Sequence, residues 1–393
     1  MHCTSLVPTL PAPDGAPVCA ALRSSALTSL HTAFTALADP RSTHGRRYDL
    51  PFLLTCLVAA LLCNCNSTTA VGQWCREHRP LLRATFGARP HLTPSDSLYR
   101  RLLPRLDAEQ VEVVLAAWVA ATRPAHDTEA VALDGKTVRG ARTQDAAAPH
   151  LLAFCTHETQ ETLLQVRVAD KTNEIPVAQA VASRLNWQGR VCTADALHTQ
   201  TAFVATFHAL GGEVVLTVKD NQPTLAADLA VLFADPRTPT TQAQTFDCHR
   251  GRRELRHLTL SSELTSYLAT QSRWPHIAQV GCLRRQVTTP ATGQTREETV
   301  YLITTLSPAQ ASPERLLALV RGHWHIENRL HYVRDVTFGE DRSQLRSGNA
   351  PQVLAALRNL AITLLHRTGA ADIAAARRAF AYHPRRALRL LLR

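Results

Sequence analysis

Asp134, Asp195 and Glu327 are acids whose types and settings suit the holding of a hard divalent cation. Asp134 closes the run Val131-Ala132-Leu133 and precedes Gly135-Lys136-Thr137, while Asp195 closes Val191-Cys192-Thr193-Ala194. Taken singly, the first reads as a turn residue and the second as an N-cap. Taken together, two strand-end carboxylates in one parallel sheet meet where α/β folds bind ligands. Glu327 sits in HWHIENRLHYVRDVTFGED, with His323, His331 and Arg334 at i−4, i+4 and i+7 on one helical face. Asp335, Glu340 and Asp341 follow closely, so periodicity alone leaves open which acid acts and allows Glu327 to be a surface ion-pair partner. Magnesium takes carboxylate oxygens, waters and substrate phosphate, so these acids suffice for two ions. Zinc held by His323, Glu327 and His331 is the rival chemistry, although the His-Glu-x-x-His spacing is missing.

The elements that must position these acids read as an α/β layer structure. Short runs rich in β-branched residues at 130–133, 151–155, 163–168, 190–193 and 213–218 suit strands, and amphipathic helices at 176–187 and 199–210 lie between them. Between about 235 and 306 the helical pattern gives way to alternating segments, with a turn at Thr292-Gly293, which predicts a β-rich insertion. Helical periodicity resumes at 313–334 and 351–367, each run opening on a proline. Upstream, residues 28–122 read as a small all-helical domain, with Ser95 as the N-cap of a helix at 96–103, and residues 1–27 as a flexible leader. The helical domain carries Arg76, Arg79, Arg83, Arg89, Arg100, Arg101 and Arg105, which suit either DNA docking or a solvated basic face.

Composition narrows the partners. Lys plus Arg number 43 against 32 Asp plus Glu, a net charge of +11 that favours polyanions, nucleic acid first. The 10 cysteines are scattered and read as reduced thiols. Prolines at 8, 11, 13 and 17 interrupt any export signal, and the most apolar stretch, 51–63, falls short of the ~20 residues a membrane-spanning helix needs. The expected location is cytoplasmic.

Five segments, DPRSTHGRRYDL from Asp39, ALDGKTVRGAR from Ala132, TADALHTQ from Thr193, VKDNQPTL from Val218 and RGHWHIENRLHYVRDVTFGED from Arg321, carry a resemblance over most of the chain. The chain resembles bacterial insertion-sequence DDE transposases of the group that includes the H-repeat-associated proteins. The resemblance implies an RNase H-like catalytic domain at 123–393, with the β-rich insertion before the helix that bears the glutamate. It implies a catalytic and metal-binding triad of Asp134, Asp195 and Glu327, using Mg2+ or Mn2+ as a pair of ions. The implied reaction is cleavage of phosphodiesters at element ends and transfer of the 3′-hydroxyl to target DNA. The alternative is a decayed, non-catalytic DNA-binding protein of the same origin. Double-stranded DNA at element ends and target is the implied partner, with a homodimer assembled on it in the nucleoid and no membrane. Lys136, Arg139, Lys219, Arg321 and Arg334 are candidate phosphate contacts, and Asn221 and Gln222 candidate hydrogen-bonding contacts. The Tyr, Arg, Glu and Lys signature of related transposases is represented here by Val320, His323, Glu327 and Arg334. The family's His-Gly-Arg becomes Arg250-Gly251-Arg252, with Glu254 and Arg256 in place.

Overall fold

One nine-stranded sheet organises the chain, in the order β3-β2-β1-β4-β5-β9-β8-β7-β6. The computed structural model describes residues 29–393 except 45, 88–92, 125, 126, 145, 170–172 and 250. The predicted leader, Arg89 and Arg250 therefore lie outside the described residues. Strands β1 (Val131–Thr137), β2 (His150–Thr156) and β3 (Thr162–Val168) form an antiparallel meander. β4 (Val191–Ala194) and β5 (Glu213–Val218) then run parallel to β1. Helices Glu174–Ala182 and Thr201–Ala209 make the crossovers that parallel pairing requires.

The segment predicted to be β-rich holds β6 (Thr241–His249), β7 (Arg252–Ser261), β8 (Gln279–Thr289) and β9 (Gln294–Thr304), plus one short helix, Thr265–Thr270, that the alternation did not show. These strands are a continuation of the main sheet, because Tyr301–Thr304 of β9 pairs antiparallel with Val215–Val218 of β5. Gly293, at φ +67°, makes the tight β8–β9 turn, a backbone conformation with little cost only for glycine.

Alternation along the strands divides most of the core between two clusters. Cys192, Ala194, Val214 and Leu216 face one cluster, and Val191 and Val215 face the other. The second cluster is closed by helix Pro313–His323 through Leu316, Leu317, Leu319 and Val320. The first is far larger. It takes in helices Leu50–Leu62, Thr68–Glu77, Arg79–Phe86, Asp96–Leu102 and Ala108–Ala121 together with Ala350–Arg367 and Pro384–Leu392. Ser95 caps its helix, its hydroxyl accepting from the Leu98 amide at 3.3 Å. The early helices therefore share one apolar core with the C-terminal helices and the sheet.

Candidate active site

Register brings the two aspartates together. Leu133 of β1 lies opposite Ala194 of β4 in parallel pairing, so Asp134 and Asp195 are the next residue on each strand. Asp195 ends β4, whereas Asp134, expected at a strand end, sits in mid-β1 because pairing with β2 carries that strand on to Thr137. The residues before each are buried, and all but Thr193 are apolar, which fixes the strands; exposure rises at the acids. Asp195 is exposed and Asp134 is half-buried. Asp195 also caps the short turn Ala196–His198, its Oδ1 accepting from the Leu197 amide at 3.0 Å. Capping occupies one oxygen, so the N-cap and ligand readings of this residue are compatible.

That turn is braced from below. The Asn221 side-chain amide donates to the Ala196 carbonyl at 2.5 Å, and Gln222 to the Thr199 carbonyl at 2.9 Å. Thr199 donates to the Thr217 carbonyl at 2.6 Å. Asn221 and Gln222, read from sequence as DNA contacts, thus each commit an amide donor to holding the backbone beside Asp195. A further clamp was not visible in sequence: Glu174 lies 2.6 Å from His150 Nε2 and 3.3 Å from His198 Nε2. Hydrogen bonds from these two histidines overcome burial and lower the Glu174 pKa to about 2. Proximity of His198 to Asp195 in TADALHTQ was the available signal.

Glu327 arrives on the continuation of helix Pro313–His323, which is N-capped by Ser312. The backbone widens into π-helical turns at Ile326–His331 and Val333–Thr337, with the Tyr332 amide bonded to the Glu327 carbonyl and Phe338 to Val333 at 3.0 Å. Such turns recur at functional sites. Here they set Glu327, His331 and Asp335 against β1. His331 Nδ1 is 3.3 Å from both Asp134 Oδ2 and Glu327 Oε2, and Asp335 Oδ2 is 2.5 Å from Lys136 Nζ. His331 beside it, with Lys136 and Arg139 nearby, holds the Glu327 pKa below its ordinary value despite partial burial.

Oxygens of Asp134 and Glu327 and a nitrogen of His331 lie within 4.8 Å of one another, among the described residues the one such group of three or more metal-ligating side chains. Asp195 stands next to this group rather than in it. Carboxylate oxygens and an imidazole nitrogen at this spacing, with an imidazole that is almost completely buried, fit a divalent cation. His323 does not join: its Nδ1 is 3.2 Å from Thr193 Oγ1, which in turn meets His157 Nε2 at 2.8 Å. Burial lowers the His323 pKa even though Asp134 and Asp195 pull the other way. The zinc arrangement through His323 and His331 is therefore not formed. Gly322 is required here, because a Cβ would overlap His157 Nδ1.

The predicted basic contacts divide. Arg139 and Lys219 are exposed, and Arg321 is half-exposed with its guanidinium 2.8 Å from Asp247 of β6. Lys136 is held by Asp335. Arg334 corrects the sequence expectation: it is fully buried, bonded to Glu340 at 2.6 Å and to Gln165 at 3.2 Å. The widened turns rotate it off the Glu327 face that ordinary helical spacing assigns, so it presents no surface to a phosphate.

Comparison with known proteins identifies the family of the chain. The family described as Transposase DDE domain matches residues 125–364, and a DDE_Tnp_1-associated family matches residues 31–119. The "H repeat-associated putative transposase YhhI" of Escherichia coli K12 is 21% identical over 344 residues, 86% of this chain and 90% of that protein. An uncharacterized protein in the dhlA 3′ region of Xanthobacter autotrophicus is 30% identical over 271 residues, 64% of this chain and 91% of its own length. The piggyBac transposase synaptic complex with hairpin DNA, solved by cryo-EM, is similar at 12% identity and a TM-score of 0.43, over 95% of this chain and 79% of that one. Because the first of these matches spans more than half of the sequence, the chain belongs to the transposase DDE domain family.

Proposed function

We propose that this transposase cuts DNA phosphodiesters at the ends of its own element and joins the freed 3′-hydroxyl to target DNA, with Asp134, Asp195 and Glu327 as its catalytic carboxylates. The observation that carries this reading is that Asp134, in mid-β1 where its pairing with β4 stops, neighbours Asp195 just past the end of β4, with Glu327 delivered against Asp134 by a helix. The order β3-β2-β1-β4-β5, antiparallel then parallel, supports an RNase H-like core. The carboxylates would hold Mg2+ or Mn2+, two ions in the full site, which activate the attacking oxygen and stabilise the leaving one when bound. The chain's own part is to place those oxygens rigidly. Asn221, Gln222 and Glu174 keep the Asp195 turn in position, and Arg139, Lys219 and Arg321 offer cations to DNA phosphates flanking the cut. Double-stranded DNA is the partner, bound by a homodimer that pairs two element ends. Among the described residues no helix is long and apolar enough to cross a membrane, which leaves the proposed cytoplasmic, nucleoid-associated setting open.

Nicking of a labelled element end by the full chain, in magnesium or manganese, tests the reading. Asp195→Asn is expected to bind the end as the parent does, because binding depends on Lys and Arg contacts to phosphate. Its cleavage should fall by about 10³-fold or more, since an amide is a poor ligand for a hard cation. Parent-like cleavage by Asp195→Asn would remove the proposed site.

A further inference from the structure

We propose that His331 is itself a ligand of the cation held by Asp134 and Glu327, giving that position a mixed nitrogen and oxygen ligand set that prefers Mn2+ to Mg2+. The inference rests on the proposed metal site and deepens it. Three observations point to it. First, His331 Nδ1 stands 3.3 Å from an oxygen of each carboxylate. A charge-assisted N–H···O bond is about 2.7–2.9 Å, and a single N–H cannot point well at two acceptors. By contrast, two ligand atoms about 2.1 Å from one ion and roughly 90–105° apart are separated by roughly 3.0–3.3 Å. The spacing is that of neighbouring ligands around a shared centre. Second, the ring is 2% exposed and its Nε2 is buried with no hydrogen-bond partner, so Nδ1 is the ring atom with something to bind. Third, Glu327 and His331 are four residues apart in a π-widened helix that leaves both side chains directed at β1, whereas Arg334 is turned into the core. No guanidinium or ammonium is paired with Asp134 or Glu327 among the described residues, so the charge is left for a cation to balance.

Imidazole nitrogen is a poor partner for Mg2+, which favours oxygen and retains its waters, and a good one for first-row transition ions. The expected signature is therefore spectroscopic as well as thermodynamic. Mn2+ added to the full chain without DNA should show nitrogen hyperfine coupling by pulsed electron paramagnetic resonance. The coupling should change from a 14N to a 15N pattern in protein labelled with 15N-histidine, a test that needs no substitution. It should vanish in His331→Gln and persist in His323→Gln, and Mn2+ affinity should fall about 10-fold or more in His331→Gln with little change for Mg2+. Bound Mn2+ without nitrogen coupling in the parent, or coupling that survives His331→Gln, overturns the assignment while leaving the carboxylate site standing. Failure of the parent to bind either ion, with or without element-end DNA, overturns the metal reading on which it depends.

Discussion

Two acid clusters lie on the same stretch of chain and solve opposite problems. Glu327 has a side chain 58% exposed, faces Asp134 and has a histidine as its neighbour. Thirteen residues on, Glu340 is 0% exposed and is gripped by Arg334 at 2.6 Å and Arg358 at 3.1 Å. Burial alone would raise the Glu340 pKa, but the two guanidinium charges hold it low. Behind it, Glu112 is buried without a cation of its own. It accepts from Gln165 at 2.6 Å, Gln165 accepts from Arg334 at 3.2 Å, and burial pushes the Glu112 pKa up to about 8. Each acid of the sealed cluster is satisfied internally, Glu340 by two guanidinium groups and Glu112 by a retained proton. In the open cluster no guanidinium or ammonium is paired with Asp134 or Glu327 among the described residues. A carboxylate with a fixed countercharge holds the fold together, and one without is available to a mobile ion.

The sharpest way to break this contrast is to neutralise one acid from each cluster. Glu340→Gln leaves two buried guanidinium groups without their partner and should cost about 3–5 kcal/mol of stability, read as a lower midpoint in urea. Glu327→Gln removes an exposed charge and should change stability by only ~0.5 kcal/mol, while nicking of element ends is lost. If Glu327→Gln unfolds the protein, or Glu340→Gln leaves it as stable as the parent, the division between the clusters is wrong.

A smaller effect follows from the proton on Glu112. Its folded pKa, about 8, lies above the ordinary 4.5, so the stability it contributes is complete below about 4.5 and is lost as pH rises through about 8. The loss is at most ~1.4 kcal/mol per pH unit across that window. Glu112→Gln keeps the shape and carries no titrating proton. Its stability relative to the parent should therefore climb between pH 5 and pH 9, measured by thermal unfolding at each pH. A flat difference would mean that Glu112 does not retain its proton in the fold.

Much of the site was legible because its local signals agree. Apolar β-branched runs ending in Asp134 and Asp195 marked both strands, since burial selects Val131 to Leu133 and Val191 to Ala194. The full extent of β1 was not, because Gly135, Lys136 and Thr137 are not apolar and join the strand through pairing with Leu151, Leu152 and His150 of β2. Helical spacing placed Glu327 and His331 on one face correctly and Arg334 incorrectly. The difference lies in i→i+5 hydrogen bonding, which answers to tertiary packing and leaves no periodic trace. The apolar stretch at 51–63 forms most of the buried helix Leu50–Leu62, every residue but Pro51 being buried. What buries it, in part helix Pro384–Leu392 more than 300 residues away, is a long-range choice that composition does not encode.

The smallest expected effect tests the same comparison at its boundary. Asp341 adjoins Glu340 in sequence but belongs to neither cluster. It lies in the short turn Glu340–Arg342, and its backbone carbonyl packs against Gly140 so closely that a Cβ there would overlap it. That contact ties the turn to the loop after β1 through main chain, not through the carboxylate. The Asp341 carboxylate is in no ion pair among the described residues, its Oδ1 has no hydrogen-bond partner, and it is absent from the group formed by Asp134, Glu327 and His331. Asp341→Asn therefore removes a charge that neither cluster uses. Stability should stay within ~0.5 kcal/mol of the parent, and element-end nicking should stay at the parental rate when both proteins are assayed at equal folded concentration. Loss of nicking on the scale of Asp195→Asn, with the fold intact, would transfer the third carboxylate of the site from Glu327 to Asp341.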